Sequence, residues 1–160
     1  MAINVGDRIP SSIFGKATPE GPQPVNSDDY FRGRKVALFS VPGAFTPTCS
    51  ARHLPGFVEK VDEFKAKGID EVACTAVNDA FVLNAWSDSA DAQGKVTMLA
   101  DGSGEFVRAI GLDADFSKFG MGPRGQRFSM LVDDGVVTQL NVEEPGAFNV
   151  SSADYLMERL

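Results

Sequence analysis

Two continuous apolar segments constrain the fold of this chain more than any other feature. The first covers residues 35–41 and the second covers residues 71–77. Unbroken apolar segments of this length are typical of strands that are buried on both faces of a largely parallel sheet. Between them, apolar residues recur at helical spacing from Leu54 to Phe64. The sequence therefore predicts a strand, a covering helix and a second strand.

The rest of the pattern predicts further strands and helices and a closing hairpin. The hairpin turn is Asp133-Asp134-Gly135, a strong turn signal between apolar segments. The other predicted elements are a strand near 12–16, a helix over about 78–87, a strand over 96–99, a helix near 105–110, a loop over 116–125, hairpin strands over 127–132 and 136–142, and a terminal helix from 151 or 152. This order predicts an α/β protein with a thioredoxin-like fold, a central mixed β-sheet flanked by helices. With 160 residues and no internal repeat or linker, we expect a single domain over residues 1–160.

The charge and the hydropathy exclude several classes of partner. Asp and Glu number 22 against 15 Lys and Arg, and the resulting net charge of −7 repels a phosphate backbone, so we expect no nucleic acid partner. No apolar segment approaches the ~20 residues of a membrane helix. The N-terminus has the pattern of neither a signal peptide nor a transit peptide. We therefore expect a cytoplasmic protein that is not bound to a membrane.

Few side chains are available to hold a metal. The chain has two cysteines, Cys49 and Cys74, and one histidine, His53. Two cysteines are too few for a disulfide framework. Structural zinc needs about four ligands, whereas these residues supply three at most, and their spacing matches no closed site. We expect reduced thiols, no metal and no cofactor.

Cys49 lies near the start of the helix that follows the first apolar segment. Thr46 is placed to cap this helix, Pro47 suits its first position, and Pro55 is expected to kink it. In the first turn, free backbone N–H groups and the helix dipole favour the thiolate form of a cysteine. The thiolate is the nucleophilic form, so the position predicts a reactive sulfur. The alternative is a buried and inert cysteine.

The spacing Thr46-x-x-Cys49 equals that of a C-x-x-C redox pair, with a hydroxyl in place of the first sulfur. Such a site can take one oxygen atom from a small polar oxidant, but it cannot shuttle a disulfide by itself. His53 follows Cys49 by four residues, on the same face of the helix. A Cys–His dyad of a hydrolase or acyl-transferase is therefore an alternative, although no orienting Asn or Asp is identifiable.

The segments around Cys49 resemble the peroxiredoxin family. Pro42-x-x-x-Thr46-x-x-Cys49 is similar to the family signature, and the fuller segments 41–50 and 53–57 resemble the type II or peroxiredoxin 5 group. The other similar segments are 77–81, 85–86, 127–130 and 141–143. They follow the expected order along most of the chain.

The resemblance implies a thioredoxin fold that reduces hydrogen peroxide or alkyl hydroperoxides without metal or haem. Cys49 then matches the peroxidatic cysteine, which is oxidised to a sulfenic acid, and Thr46 matches the hydroxyl that hydrogen-bonds thiolate and peroxide. Arg127 matches the arginine that stabilises the thiolate and the developing negative charge. Pro42 matches the residue that shields the sulfur, and we assign Pro42 and Phe45 to substrate binding.

The second cysteine bears on how the sulfenic acid is reduced. Cys74 lies among apolar residues, which predicts a buried, unreactive thiol, and its alternative role is to form a disulfide with Cys49. Some family members carry a resolving cysteine near the C-terminus, but the matching segment 148–152 has serine there. The resemblance therefore implies a one-cysteine cycle completed by an external thiol, either glutathione with glutaredoxin or thioredoxin. It also implies a homodimer.

Other interpretations stay open in the sequence. An arginine at a strand end is ordinarily solvated, as we expect for Arg124, and only the resemblance favours a contact between Arg127 and the helix start. The region of Phe45, Trp86 and the loop 120–125 are candidate dimer contacts, although an isolated Trp on an apolar helix face is more often in the core. A redox sensor without turnover is a further alternative to an enzyme.

Overall fold

The two apolar segments form adjacent parallel strands at the centre of a seven-stranded sheet. The structure is a computed structural model that describes residues 2–160. β3 (Lys35–Ser40) and β4 (Glu71–Ala76) are joined by the helix α2 (Leu54–Ala66), which packs over them. Both strands are almost completely buried, as expected for unbroken apolar segments.

The remaining elements complete the sheet, cover its two faces and form a separate two-stranded ribbon. The other strands are β1 (Ile13–Lys16), β2 (Gln23–Asn26), β5 (Thr97–Ala100), β6 (Asp113–Asp115), β7 (Pro123–Gly125), β8 (Phe128–Asp133) and β9 (Val136–Val142). The other helices are α1 (Ser27–Phe31), α3 (Ala80–Ser89), α4 (Glu105–Ala109) and α5 (Ala153–Glu158), with a 3₁₀ turn at Ser117–Phe119. The strand order is β2-β1-β5-β4-β3-β8-β9. Only β3, β4 and β5 run parallel, so the sheet is mixed and flanked by helices, as predicted.

Apolar side chains fill the space on both faces of the sheet. One cluster packs α2, α3 and α5 against the sheet and contains both cysteines. The other lies under α1 and α4. No helix among residues 2–160 is long and apolar enough to cross a membrane.

The helix that carries Cys49 begins at Pro47 but is not uniformly α-helical. Residues Cys49–His53 form a π turn, in which the N–H of Leu54 bonds to the carbonyl of Cys49. Pro55 lacks the N–H that an α-helix would need four residues after Ala51. The distortion predicted for this proline thus takes the form of a π turn immediately before it.

Three short strands, β2, β6 and β7, lie where the sequence pattern predicted no strand. The predicted strand β1 pairs with β2, an edge strand that accommodates Pro24. β6 lies just before the segment 116–125 that was expected to be a loop, and it pairs with β7 at the end of that segment. Strands of three or four residues are too short to show a period. The hairpin turn is as predicted, since Asp134 and Gly135 both have positive φ angles, of 49° and 81°.

Candidate active site

Cys49 and Arg127 meet at the carboxyl end of β3. Arg127 Nη2 lies 3.0 Å from Cys49 Sγ, and the cysteine is completely buried. The sheet brings them together, because Phe128 of β8 pairs with Ser40 of β3. Arg127, the residue before Phe128, therefore lies beside the turn that leads from β3 into the helix. A guanidinium is permanently charged, so it can stabilise negative charge that develops on a neighbouring group during a reaction.

Thr46 occupies the N-terminal position of the helix, but its side chain does not cap it. Its carbonyl accepts the Ser50 N–H at 2.9 Å, as expected at a helix start. Its hydroxyl donates to the carbonyl of Gly43 at 2.8 Å instead of accepting a helix N–H. The lone pairs of this oxygen thus stay available for a donor in the groove beside it.

Two side chains that were not among the predicted site residues, Asn78 and Arg124, hold the turn before the helix. Asn78 Oδ1 accepts the Ala44 N–H at 2.9 Å. Arg124 Nη1 donates to the carbonyl of Pro42 at 3.3 Å, and its Nε donates to the carbonyl of Met121 at 2.9 Å. Arg124 is therefore not the solvated arginine that we expected, because the β6–β7 ribbon places it against this turn. Asn78 belongs to the family-like segment 77–81 and Arg124 lies three residues before Arg127, but only the tertiary structure shows their partners.

His53 is fully buried and bonded through both ring nitrogens. Nε2 lies 2.9 Å from the carbonyl of Ser151, and Nδ1 lies 2.9 Å from Arg127 Nη1. A carbonyl can only accept and a guanidinium can only donate, so Nε2 carries the proton and Nδ1 accepts. Burial, together with the Arg127 charge, lowers the pKa of His53 to about 3, although the bond to Ser151 opposes this. Neither nitrogen is free to take a proton from Cys49, which argues against the Cys–His dyad.

The loop that carries Ser151 is fastened by a buried carboxylate. Glu143 accepts the N–H groups of Asn149, Val150 and Ser151 and the hydroxyl of Ser151, at 2.6–2.9 Å. Burial acts to raise the pKa of Glu143, but these hydrogen bonds outweigh it and the pKa is lowered overall. The Glu143 N–H also bonds to the carbonyl of Arg127 at 3.0 Å. Glu143 lies in the segment 141–143 that resembles the family, but its hydrogen bonds with Asn149, Val150 and Ser151 become visible only in the folded chain.

A groove of about 800 Å³ adjoins the buried sulfur. Pro42, Thr46 and Arg127 line it together with apolar side chains of the segment 114–121 and the loop 143–147. Phe45 does not line the groove. Its side chain is 55% exposed, and its φ of 65° turns the backbone into the left-handed region. The structure thus brings together four of the five predicted site residues and leaves Phe45 apart.

Cys74 and Trp86 are both core residues. Cys74 is buried in β4, and burial, reinforced by the nearby Cys49, raises the pKa of the Cys74 thiol well above its ordinary value. Trp86 is buried on α3, where its Nε1 donates to Ser50 Oγ at 3.0 Å. Trp86 is therefore a core residue, which is the alternative that its apolar helix face favoured over a dimer contact. Among residues 2–160, no three His, Cys, Asp or Glu side chains are grouped so that they could hold a metal ion.

These contacts define what the site can do chemically. The Cys49 sulfur is held beside a fixed cation, next to a groove that also presents the Thr46 hydroxyl group. Attack on one oxygen of a peroxide releases the other with growing negative charge, which a guanidinium can stabilise. The geometry therefore suits transfer of one oxygen atom to sulfur.

Comparison with known proteins decides the family. The Redoxin family profile matches residues 4–157. The chain is 47% identical over 163 aligned residues to the rice (Oryza sativa subsp. japonica) peroxiredoxin-2E-2, chloroplastic, covering 99% of this chain and 72% of that protein. The chain belongs to the peroxiredoxin family.

Solved structures agree with this assignment. Reduced Prx3 from Vibrio vulnificus in complex with H2O2 superposes with a TM-score of 0.94 at 46% identity, covering 98% of each chain. Peroxiredoxin 5 from Alvinella pompejana superposes with a TM-score of 0.85 at 38% identity, covering 98% of this chain and 96% of that one. The thioredoxin-like fold and the type II or peroxiredoxin 5 group are thus confirmed. This peroxiredoxin is a thiol peroxidase that reduces peroxides at the expense of a thiol reductant.

One expectation from the sequence is wrong. The absence of a recognisable targeting pattern predicted a cytoplasmic protein, but the rice relative is by its name chloroplastic, and so is the 45% identical peroxiredoxin-2E of Arabidopsis thaliana. Compartment is read from short terminal signals and not from the fold, so a protein of the same structure can work in different compartments.

Proposed function

We propose that this peroxiredoxin reduces hydrogen peroxide and alkyl hydroperoxides by a one-cysteine cycle at Cys49, completed by an external thiol. The observation that supports this is the different environment of the two sulfurs. Cys49 contacts Arg127 beside the groove, whereas Cys74 is enclosed in the central sheet with its thiol kept protonated.

The first step is an oxygen transfer. The thiolate of Cys49 attacks the nearer oxygen of the peroxide, the O–O bond breaks, and the leaving oxygen takes a proton to become water or an alcohol. Arg127 stabilises both the thiolate and the leaving oxygen, Thr46 orients the peroxide through its hydroxyl, and Pro42 shields the sulfur from bulk water. The product is a sulfenic acid, Cys49–SOH.

The following steps return the sulfur to its reduced form. An external thiol attacks Cys49–SOH and forms a mixed disulfide with release of water, and a second thiol then displaces Cys49 and leaves as a disulfide. Glutathione with glutaredoxin, or thioredoxin, supplies these two thiol equivalents. Cys74 does not take part, because a rigid central strand would have to unfold locally before the two sulfurs could form a bridge.

We propose in addition that the active form is a homodimer. Phe45, next to Thr46, is 55% exposed, and Phe81 on α3 is 68% exposed. Large exposed aromatic side chains of this kind are enriched at protein interfaces. A second copy of the chain would cover them.

The test is turnover of hydrogen peroxide and an alkyl hydroperoxide with each reductant system in parallel, glutathione with glutaredoxin and thioredoxin with its reductase. Cys49→Ser should abolish turnover, and Cys74→Ser should retain most of it with at least one system. Mass spectrometry after one equivalent of peroxide should find one added oxygen on Cys49 in both wild type and Cys74→Ser. Loss of turnover in a folded Cys74→Ser variant, or an intramolecular disulfide in the wild type, would contradict the one-cysteine cycle.

A further inference from the structure

Arg127 uses its two terminal nitrogens for different partners. Nη2 faces Cys49 Sγ at 3.0 Å, and Nη1 donates to His53 Nδ1 at 2.9 Å. The guanidinium is planar and rigid, so a hydrogen bond that fixes Nη1 and the plane of the group also fixes the direction in which the Nη2 N–H groups point. Its contact with the imidazole therefore sets its orientation toward the sulfur.

The His53 imidazole is also held on the side that faces away from Arg127. Its Nε2–H donates to the carbonyl of Ser151 at 2.9 Å, and Ser151 is bonded to the Glu143 carboxylate through its N–H and its hydroxyl. The result is one continuous series of hydrogen bonds, from Glu143 through Ser151, His53 and Arg127 to Cys49. The tautomer of His53 is fixed by its partner on the far side of the ring.

The surroundings of His53 show that packing alone does not require a histidine here. Its ring lies among the rings of Phe39, Phe57 and Phe148, with centroid distances of 4.8, 5.6 and 5.0 Å. An apolar side chain of similar size would fill such a site, whereas a buried polar ring is costly unless its nitrogens are bonded. The two polar contacts are therefore the reason to look for a function.

A neutral acceptor suits this position for an electrostatic reason. A carboxylate in place of His53 would also hold the guanidinium, but it would offset the positive charge that the sulfur needs. A protonated imidazole would repel Arg127 and offer no acceptor. Because the pKa of His53 is lowered to about 3, the ring stays neutral at ordinary pH.

We propose that His53 is a positioning residue that orients Arg127 toward Cys49 through its Nδ1 lone pair. The inference rests on the proposed role of Arg127 in stabilising the thiolate and the leaving oxygen. It assigns no proton transfer to the histidine, which contacts neither the sulfur nor the peroxide.

The experiment is a double-mutant cycle between His53 and Arg127, read out by the second-order rate constant for oxidation by hydrogen peroxide. His53→Leu, which removes both nitrogens, should lower this rate constant about 10- to 100-fold. In an Arg127→Met background the same substitution should have almost no further effect, because nothing is left to orient. His53→Asn, whose Oδ1 can take the place of Nδ1, should recover most of the rate.

Two further measurements separate positioning from a purely structural role. The rate of Cys49 alkylation by iodoacetamide at pH 7 should fall in His53→Leu and recover in His53→Asn. Ser50→Ala is the matched control, because it removes the bond to Trp86 from the same turn without touching Arg127, and its rate should stay within about twofold of wild type. If His53→Leu does not fold, the ring nitrogens can be followed by NMR in the wild-type protein, where Nδ1 should be unprotonated and should shift on Arg127→Met.

Each outcome discriminates between the two proposals. If Arg127→Met does not slow oxidation, the role of Arg127 in the proposed function is wrong. If Arg127→Met slows it but His53→Leu does not, or if the two losses multiply independently, only the positioning role of His53 is wrong. A protonated Nδ1 in the NMR experiment would also overturn the positioning role.

Discussion

The carboxylate of Glu143 holds Ser151 by two hydrogen bonds to the same oxygen, from the Ser151 N–H at 2.8 Å and from its hydroxyl at 2.6 Å. Both residues are buried. The pair fixes the loop between β9 and α5 at the point where the Ser151 carbonyl meets His53. A buried acid that touches neither the sulfur nor Arg127 through its side chain thus supports the site through Ser151 and His53.

Glu143→Gln should lower the free energy of unfolding by about 3 kcal/mol at pH 7, since an amide has one acceptor oxygen and its NH₂ group would face N–H donors. The folded-state pKa of Glu143 lies below its ordinary value of 4.5, so the carboxylate stabilises the fold above that pH and this contribution is lost as the pH falls through the folded-state pKa. Urea unfolding at pH 7 and at pH 3.5 should therefore show a smaller difference between variant and wild type at the lower pH. An equal difference at both would contradict the assignment.

His53 should make the fold less stable in acid. In the unfolded chain its pKa is about 6.5, whereas in the folded protein it is lowered to about 3, so between these values only the unfolded state binds the proton. Stability should fall by about 1.4 kcal/mol per pH unit from this group as the pH drops below 6.5. Urea titrations from pH 7 to pH 4.5 should show a shallower loss in His53→Leu than in the wild type, and parallel slopes would show that the histidine titrates normally.

Cys74 should be inert in the folded protein. Burial keeps its thiol protonated, because the pKa is raised well above its ordinary value. Iodoacetamide at pH 8 should modify one cysteine of the native chain, identified as Cys49 by peptide mass spectrometry, and two after denaturation. Rapid native labelling of Cys74 would mean that β4 opens readily, which would favour a resolving role for this thiol.

Asn78 should matter for the rate more than for stability. Its Oδ1 accepts the Ala44 N–H, which holds the turn between Pro42 and Thr46 in place. Asn78→Ala should slow oxidation of Cys49 by about tenfold, because a small displacement of positioned groups is enough to lose rate. Asn84→Ala is the control, since Asn84 lies on the nearby helix α3 and its side chain bonds only to the exposed Gln93. Equal rates in the two variants would remove Asn78 from the site.

Some of the differences between expectation and structure have a common physical cause. β2, β6 and β7 are stabilised by the strands they pair with and show no periodic pattern, so short strands of this kind cannot be predicted from a single sequence. Thr46 stands at the helix start as expected, yet its hydroxyl bonds to Gly43 instead of capping the helix. The choice between these two local partners depends on the turn geometry, which the sequence does not specify.

The buried strands, the helix start and the reactive cysteine could be predicted from the sequence, because each depends on residues close together along the chain. The apolar segments, the Asp-Gly turn and the Thr46-x-x-Cys49 spacing are all of this kind. The partners of Cys49 were decided only by the tertiary structure. Arg127 reaches the sulfur because β8 pairs with β3, and His53 lies between Arg127 and Ser151 because three distant segments converge there. Hydrogen bonds across such separations depend on strand register and loop packing, which only the folded chain defines.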